Sequence, residues 1–416
     1  MHVKQHLAAR FGALFIATTS GCALIAEIGG PEGQLADDGS RGSKAPDGAL
    51  ETSQREGGVE LATCSADLTS DNGNCGFCGH SCAGGACKAG FCEPTTIAPA
   101  TDVKALAVDD DQVFYATARE VRGCPSSAQA TCVSLIDPAV VYAAARSSWS
   151  SGGGNRGNNG GSPNGGGEPG AGIATPPALD LRALALFGDR FFVSDEANGV
   201  VVGCQKTTGC NATTIATVRA QREAPGFAAG LNVSASYINW GERDGLGEAR
   251  LPPMGTRGDG DIVPGPVTRG VDRIQVGVLA GVAEIVFRGA DGVFALGYDL
   301  DAQPVEIFAG STVRDFAIDP RYVFVATRSS VVRVDRVTHA RTTLVQLAEG
   351  GPQLERIVAD SSGVYAKTTS AAGATLVRVR DGGLDAVAVS MEMGAIALSA
   401  SSLFYVSAGS IRRVPR

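Results

Sequence analysis

The sequence predicts an all-β fold built from a repeated unit of short antiparallel strands. Residues 354–416 contain the same arrangement twice, in which β-branched or aromatic runs such as 364–366 and 403–405 alternate with Gly, Ser and Asp turns. The 56 glycines among 416 residues are typical of a turn-rich β protein. A strand unit that recurs with this period predicts a β-propeller.

The most apolar strand of each unit sets the expected number of blades. We predict seven blades of four strands, with six or eight as alternatives. The seven central strands are placed at Val113–Tyr115, Phe191–Val193, Tyr237–Trp240, Val293–Ala295, Val323–Val325, Val364–Ala366 and Leu403–Tyr405. Because the spacing is long before Val293 and short after it, the blade there is expected to have lost or lent a strand.

The last repeat has only three strands before the sequence reaches Arg416. Thr95–Ala98 has the composition of an outer strand but precedes the first inner strand. We therefore predict that this N-terminal strand completes the last blade and covers its exposed edge.

Composition divides the chain into four segments. The glycine- and acid-rich segment after the leader has almost no aromatic residues and is expected to be a disordered tether. The predicted segments are a signal peptide at 1–21, the tether at 22–60, a cysteine-rich module at 61–93 and the propeller at 94–416, with a flexible Gly-rich loop at about 144–177.

The leader carries an export signal. Basic residues precede a short apolar run at 11–17, which is too short for a permanent membrane span. The sequence Ser20-Gly21-Cys22 resembles the bacterial lipoprotein cleavage box, although Thr19 stands where that box usually has Leu. The resemblance implies lipid attachment at Cys22, and Ala23 after it is similar to lipoproteins sent to the outer membrane. The alternative is an ordinary secretory signal with a chance cysteine.

Cysteine count supports an oxidising compartment. Eleven cysteines leave an even ten once Cys22 is set aside, and ten can pair completely. Six of them form the module and are expected to make three disulfides, with all 15 pairings open: Cys64, Cys75, Cys78, Cys82, Cys87 and Cys92. Zinc is the alternative, since Cys75 and Cys78 form a CxxC motif close to His80.

Four further cysteines lie in the propeller, in the pairs Cys124/Cys132 and Cys204/Cys210. Each pair is placed between the third and fourth strands of a blade, where a local bridge would hold an outer hairpin. The module resembles short cysteine-rich modules beside propellers in exported proteins of myxobacterial type, and Gly-Cys…Cys hairpins similar to these recur in such propellers. The resemblance implies an architecture and no activity.

Catalytic and metal-binding patterns are few. No hydrolase elbow, zinc-protease, phosphate-loop or EF-hand motif occurs in the sequence. His339 is interpreted as a solvated turn residue, and Asp109, Asp319 and Asp360 as turn caps. The acidic pairs at 259–261 and 299–301 offer few oxygen ligands at the spacing that calcium needs. Calcium binding at these positions is kept as an alternative.

These observations predict a binding scaffold at the cell envelope that uses no cofactor or metal. Its expected partner is a protein, peptide or glycan, met by loops on one face of a monomer anchored to the membrane only by its lipid. The net charge of −8 argues against nucleic acid. Two alternatives remain: a propeller enzyme, lyase or hydrolase, with ionisable groups converging at the channel mouth, and a structural envelope component.

Overall fold

The computed structural model describes residues 67–76, 80–83, 85–109, 111–150, 178–211, 215–219, 227–242, 245–259, 261–264, 270–279, 281–297 and 303–416. All of them belong to the compact unit Glu60–Arg416. The predicted leader and tether, with Cys22, therefore lie outside the described residues. Within the described part of the chain, no helix has the length and apolar character needed to cross a bilayer.

The first described elements belong to the cysteine-rich module and to the strand that follows it. The module contains a two-stranded ribbon of β1 (Cys87–Lys88) and β2 (Phe91–Cys92). Strand β3 (Thr95–Pro99) follows directly.

Seven sheets then make a seven-bladed β-propeller, which confirms the predicted fold class. Blade 1 has β4 (Ala105–Val108), β5 (Gln112–Ala116), β6 (Val121–Pro125) and β7 (Val133–Ser134), followed by helix α1 (Pro138–Ser150). Blade 2 has β8 (Leu181–Phe187), β9 (Arg190–Asp195), β10 (Val200–Gln205) and β11 (Ala216–Arg219). Blade 3 has β12 (Phe227–Val233), β13 (Tyr237–Glu242), β14 (Gly245–Arg250) and β16 (Asp261–Pro264), with β15 (Arg257–Asp259) added in parallel to the outer edge of blade 2.

The remaining blades are regular. Blade 4 has β17 (Arg273–Leu279), β18 (Val282–Gly289), β19 (Gly292–Gly297) and β20 (Val305–Ala309). Blade 5 has β21 (Val313–Ile318), β22 (Tyr322–Thr327), β23 (Ser330–Asp335) and β24 (Arg341–Gln346). Blade 6 has β25 (Gln353–Asp360), β26 (Gly363–Ser370), β27 (Gly373–Arg380) and β28 (Gly383–Ser390). Blade 7 has β29 (Ile396–Leu398), β30 (Ser402–Ser407), β31 (Ser410–Pro415) and β3.

Blade 7 is completed by the N-terminal strand, as the sequence predicts. Strand β3 pairs antiparallel with β31, with Thr95 opposite Arg413 and Ala98 opposite Ile411. Ile97 of β3 is fully buried. Its cluster also contains Val113 of blade 1 and Phe404 of blade 7. The strand therefore closes the ring by pairing with one blade and packing against the next.

The core is divided among the contacts between blades. Seven buried clusters each lie between two neighbouring blades, for example Phe114 of blade 1 against Phe191 of blade 2. In blades 1 to 3 an aromatic side chain of the second strand covers a glycine directly opposite on the third: Phe114 over Gly123, Phe192 over Gly203 and Trp240 over Gly247. A Cβ at Gly247 would lie 2.1 Å from the indole of Trp240, so a larger residue would displace the ring.

Two sequence predictions are corrected by the structure. Val293–Ala295 lies in β19, the third strand of blade 4, and β18 is the central one. The blade has four strands, so it has neither lost nor lent one.

The predicted flexible loop at 144–177 begins inside α1, which extends to Ser150. Asp137 caps this helix by accepting the Ala139 N–H at 2.8 Å. Residues 151–177 lie outside the described part of the chain.

Three ion pairs connect neighbouring blades on the face where the inner strands end, which we call the exit face. In each pair the cation directly follows a third strand: Lys206 with Asp109 at 2.7 Å, Arg336 with Glu284 at 2.7 Å and Arg416 with Asp360 at 2.6 Å. They join blades 1 and 2, 4 and 5, and 6 and 7. Charges on this face therefore hold the ring together.

Arg336 is the most deeply buried of these cations, with 1% of its side chain exposed. Besides Glu284, its guanidinium donates to the carbonyl oxygen of Asp319 at 3.0 Å and to those of Val278 and Pro320 at 3.3 Å. A buried guanidinium with this many acceptors fixes both blades to one geometry.

A candidate binding face at the channel mouth

The inner strands of all seven blades surround a cavity of about 420 Å³ at the end of the ring where those strands begin. We call this cavity the channel mouth and this end of the ring the mouth face. Its apolar walls come from residues such as Ala105, Leu184, Leu231 and Ile274.

The channel mouth also contains eight ionisable side chains. They are Lys104, Arg182, Asp272, Arg273, Asp315, Glu355, Arg356 and Lys367. Cations outnumber carboxylates five to three among these lining residues. A positive site therefore lies on a protein whose net charge is −8.

Asp315 connects three blades below this site. Its carboxylate is almost fully buried, lies 3.3 Å from Arg273 of blade 4 and accepts the N–H of Ile357 of blade 6 at 3.0 Å. One carboxylate oxygen has no hydrogen bond, so the ion pair with Arg273 is its compensation. The arrangement is a structural support beneath the mouth.

Glu355 is held ionised at the rim. Lys367 lies 2.7 Å from one of its oxygens, and the Thr369 hydroxyl donates to the other at 2.8 Å. Burial opposes ionisation, but these hydrogen bonds outweigh it and lower the pKa of Glu355. Glu355 is therefore a carboxylate over the physiological range.

A groove of about 490 Å³ adjoins the mouth between blades 4, 5 and 6. It shares Asp272, Glu355 and Arg356 with the channel mouth. Arg288 lies in its wall and donates to Asp272 through two nitrogens, one at 2.7 Å. Burial disfavours the charge on Arg288, but this bidentate contact outweighs it and raises the pKa of Arg288.

A second, wider groove of about 1040 Å³ adjoins the mouth on the side of blades 7 and 1. It shares Lys104 with the channel mouth and also contains Tyr115, Arg119 and Arg122. Arg122 is paired with Glu120 at 2.9 Å. The mouth face therefore has three adjoining concave surfaces in a row.

The cations on this face with no carboxylate within 4.0 Å among the described residues include Arg119 and Arg328, and also three that we consider further: Lys104, Arg314 and Arg356. All three are exposed. Lys104 lines the mouth and the wider groove, Arg356 lines the mouth and the narrower groove, and Arg314 lines the narrower groove. Each concave surface thus has a cation free to meet a ligand.

The acids singled out in the sequence cap turns on the exit face. Asp109 accepts the N–H of Gln112 at 2.8 Å, and Asp319 accepts that of Tyr322 at 2.6 Å. Asp360 accepts the Ser362 N–H at 2.9 Å and pairs with Arg416. Burial opposes ionisation of Asp360, but these hydrogen bonds outweigh it and lower its pKa. The interpretation as turn caps is confirmed.

His339 is an exposed turn residue with a φ of 57°. Its backbone N–H donates to the Asp335 carbonyl at 2.8 Å, and it lies on the exit side of blade 5. Of the alternative calcium positions, Asp259 and Asp261 lie on β15 and β16, and 299–301 lies outside the described residues.

The cysteines described in the structure form four disulfides. Two are in the module, Cys75–Cys87 and Cys82–Cys92, and two hold the outer hairpins of blades 1 and 2, Cys124–Cys132 and Cys204–Cys210. Cys64 and Cys78 lie outside the described residues.

The zinc alternative for the module can be compared with this geometry. The sulfurs of Cys75, Cys82 and Cys92 lie within 4.8 Å of one another. Each is bound in a disulfide, and metal ligation requires free thiolates. The nearby His80 is buried and its Nδ1 lies 2.6 Å from the Cys75 carbonyl oxygen.

The charged mouth has a signal in the sequence that strand patterning alone does not reveal. A Lys or Arg stands at or near the start of the inner strand in five blades: Lys104, Arg182, Arg273, Arg314 and Arg356. Each is a single charge beside an apolar run, so it looks like an ordinary solvated residue. Only closure of the ring brings the five to one end.

No protein-family model and no curated protein matches the chain. Solved structures with a similar fold include "YCF48 bound to D1 peptide", with TM-score 0.51, 10% identity and coverage of 78% of this chain and 96% of that one. The Cps50 (Swd1) β-propeller domain of Myceliophteria thermophila has a TM-score of 0.50 and 11% identity, and the match covers 77% of this chain and 99% of that one. A chain of a mitotic checkpoint complex has a TM-score of 0.50 and 11% identity, with coverage of 78% of this chain and 94% of that one. At these identities the likeness shows the propeller fold alone.

Proposed function

We propose that this chain is an exported, lipid-anchored propeller that works as a monomeric binding scaffold at the cell envelope, with its partner on the mouth face. The observation that carries the proposal is the row of three adjoining concave surfaces, each with an exposed and unpaired cation. Concave surfaces with a few convergent polar groups are the usual form of a ligand site.

The two faces of the ring support this choice of surface. On the exit face, Lys206, Arg336 and Arg416 are used in pairs between blades. On the mouth face, Arg314 and Arg356 point from neighbouring blades without a carboxylate partner among the described residues. A cation that is in no such pair is available for recognition.

The fold supports a partner that is a protein or peptide. The β-propeller is commonly a protein-interaction scaffold. Among the similar structures, one is YCF48 bound to a D1 peptide and another is a chain of a mitotic checkpoint complex. A glycan is the third kind of partner that we propose, after a protein and a peptide.

Export and anchoring are supported by cysteine chemistry. Four disulfides lie within the described residues, and disulfides persist in oxidising compartments. The Ser20-Gly21-Cys22 sequence supplies the site for a lipid, and we propose the outer membrane as the destination.

Anchoring is tested by metabolic labelling with a palmitate analogue in a bacterial host. Wild type is expected to be labelled and to sediment with membranes, whereas Cys22→Ser loses the label and leaves the membrane fraction. Cys124→Ala with Cys132→Ala is the matched control and keeps the label. A labelled Cys22→Ser protein, or a mature chain that begins at another residue, would overturn the anchor.

Binding on the mouth face is tested with a photo-crosslinking amino acid in the anchored protein. Placed at Arg119, on the wider groove, it is expected to capture one partner reproducibly. Placed at Val337, which is 72% exposed on the exit side of blade 5, it is expected to capture none. Equal capture at both positions, or capture only at Val337, would refute the proposed face.

One observation favours a second candidate, a propeller lyase or hydrolase. Ionisable side chains do converge at the channel mouth, as an enzyme of this fold requires. We prefer the scaffold because all three lining carboxylates, Asp272, Asp315 and Glu355, are fixed in ion pairs, and the pKa of Glu355 is lowered, which is unsuited to a general acid. Turnover of a polysaccharide panel by wild type, lost in Glu355→Gln, would reverse this preference.

A further inference from the structure

The uncompensated cations of the mouth face define the chemistry of what binds there. The channel mouth and the narrower groove together are lined by seven Lys or Arg and three Asp or Glu side chains. Asp315 and Glu355 are each matched to a cation, Asp272 is matched to Arg288, and Arg182 is matched to Asp180 and Glu196 outside the lining. Lys104, Arg314 and Arg356 are the lining cations that remain without such a match. The excess positive charge is therefore not neutralised within the described residues, which favours an anionic ligand.

The donors themselves favour carboxylate recognition. Arg314 and Arg356 present planar guanidinium groups that bind two oxygens at once, and Lys104 adds a point charge. All three are exposed, so the free energy needed to desolvate them on ligand binding is small. The apolar walls of the mouth lower the local dielectric and strengthen such contacts.

The arrangement of the cations favours an extended ligand over a compact one. Lys104 lies on blade 1, between the mouth and the wider groove, whereas Arg314 and Arg356 lie on blades 5 and 6, at the narrower groove. A single phosphate or a single carboxylate reaches one of these sites. A chain with several spaced carboxylates reaches all of them.

We propose that the mouth face binds an extended acidic polypeptide segment, whose carboxylates pair with Arg314, Arg356 and Lys104 along the three concave surfaces. This inference rests on the proposed scaffold function and names its partner as an acidic peptide. A nucleic acid or a highly charged glycan is disfavoured, because the protein as a whole carries a net charge of −8 and repels a dense polyanion at long range.

The probe for this proposal is a fluorescein-labelled peptide of about twelve residues that alternates Asp or Glu with Gly or Ser, long enough when extended to span about 40 Å. Its control carries Asn and Gln at the acidic positions. Fluorescence polarisation with the full mature chain is expected to show that the acidic peptide binds at least about tenfold more tightly than the amide peptide, and less tightly as salt is added.

Charge reversal locates the site. Arg314→Glu and Arg356→Glu are each expected to weaken acidic-peptide binding at least about tenfold. The matched control is Arg321→Glu, an exposed arginine of the same blade at the opposite end of β21, about 20 Å away, and it is expected to stay within about twofold. Circular dichroism confirms that all three variants fold.

Three outcomes would overturn the proposal. One is equal affinity for the acidic and amide peptides, and another is unchanged affinity in Arg314→Glu and Arg356→Glu. The third is displacement of the peptide by inorganic phosphate at micromolar concentration, which would identify a compact phosphate site. If the acidic peptide does not bind but a partner is still captured at Arg119, the acidic ligand is refuted and the scaffold function is retained. If no partner is captured either, the acidic ligand and the scaffold function are both refuted.

Discussion

Closure of the ring through β3 can be tested by removing one buried side chain. Ile97 is fully buried between blades 7 and 1. Replacing a buried Ile by Ala costs about 2–5 kcal/mol, because transfer energy is lost and a cavity remains. Since Ile97 packs against two blades, we expect a loss of about 3 kcal/mol. For a domain of roughly 320 residues, with an unfolding entropy of about 2.1 cal/mol/K per residue, that corresponds to a melting temperature lower by roughly 4–5 °C.

The matched control is Thr96→Ala, one residue away on the same strand but exposed, which is expected to change stability by less than about 0.5 kcal/mol. Thermal melts followed by circular dichroism, with urea titrations, measure both variants. Deletion of residues 94–100 is expected to lower the midpoint further, because it also exposes the edge of β31. Equal midpoints for Ile97→Ala and Thr96→Ala, or an unchanged midpoint after the deletion, would refute closure by β3.

Three further predictions concern other contacts. Arg336→Met leaves Glu284 buried without its partner and is expected to lower the free energy of unfolding by about 3–5 kcal/mol. The double variant Arg336→Met/Glu284→Leu is expected to recover most of this loss. Equal urea midpoints for the single and double variants would contradict this. The folded pKa of Asp360 lies below its unfolded value of about 3.9, so its contribution is complete above that pH and is lost as the pH falls through the folded pKa. Asp360→Asn should therefore melt below wild type at pH 7, by at most about 1 kcal/mol, and the difference should shrink below about pH 4. Cys124→Ala/Cys132→Ala is expected to lose about 2–3 kcal/mol in oxidising buffer, and the gap to wild type should narrow when dithiothreitol is added.

Most strands of the propeller could be predicted because their pattern is local. The second strands at Phe191–Val193 and Leu403–Tyr405 are apolar runs between turn residues, and the structure places them on β9 and β30. Blade 4 was the exception. Its second strand, β18, contains Glu284 and Arg288, which make it look unlike a buried strand.

Those two charges are compensated from outside the strand. Glu284 meets Arg336 of blade 5, and Arg288 meets Asp272, which precedes the inner strand. Neither partner is visible in a local window, so the apolar run at Val293 fits the pattern of a second strand better. The sequence does not predict helix α1, because its second half overlaps the predicted flexible loop at about 144–177, although Asp137 caps its start.

The candidate site could be predicted only in part. The sequence shows which residues begin the inner strands, but not that Lys104, Arg314 and Arg356 remain unpaired while Lys206 and Arg416 are paired. Pairing depends on contacts between blades, and these form only in the closed ring.

The pairing of β3 with β31 also determines the order in which the ring can assemble. The other blades take their four main strands from neighbouring stretches of chain, with β15 added to blade 2, whereas blade 7 needs strands from both ends of the domain. The contact of greatest sequence separation has the largest loop to close, so it forms last. Until β3 and β31 pair, the ring is an open arc in which the edge of β31 is unpaired and can add a strand from another chain.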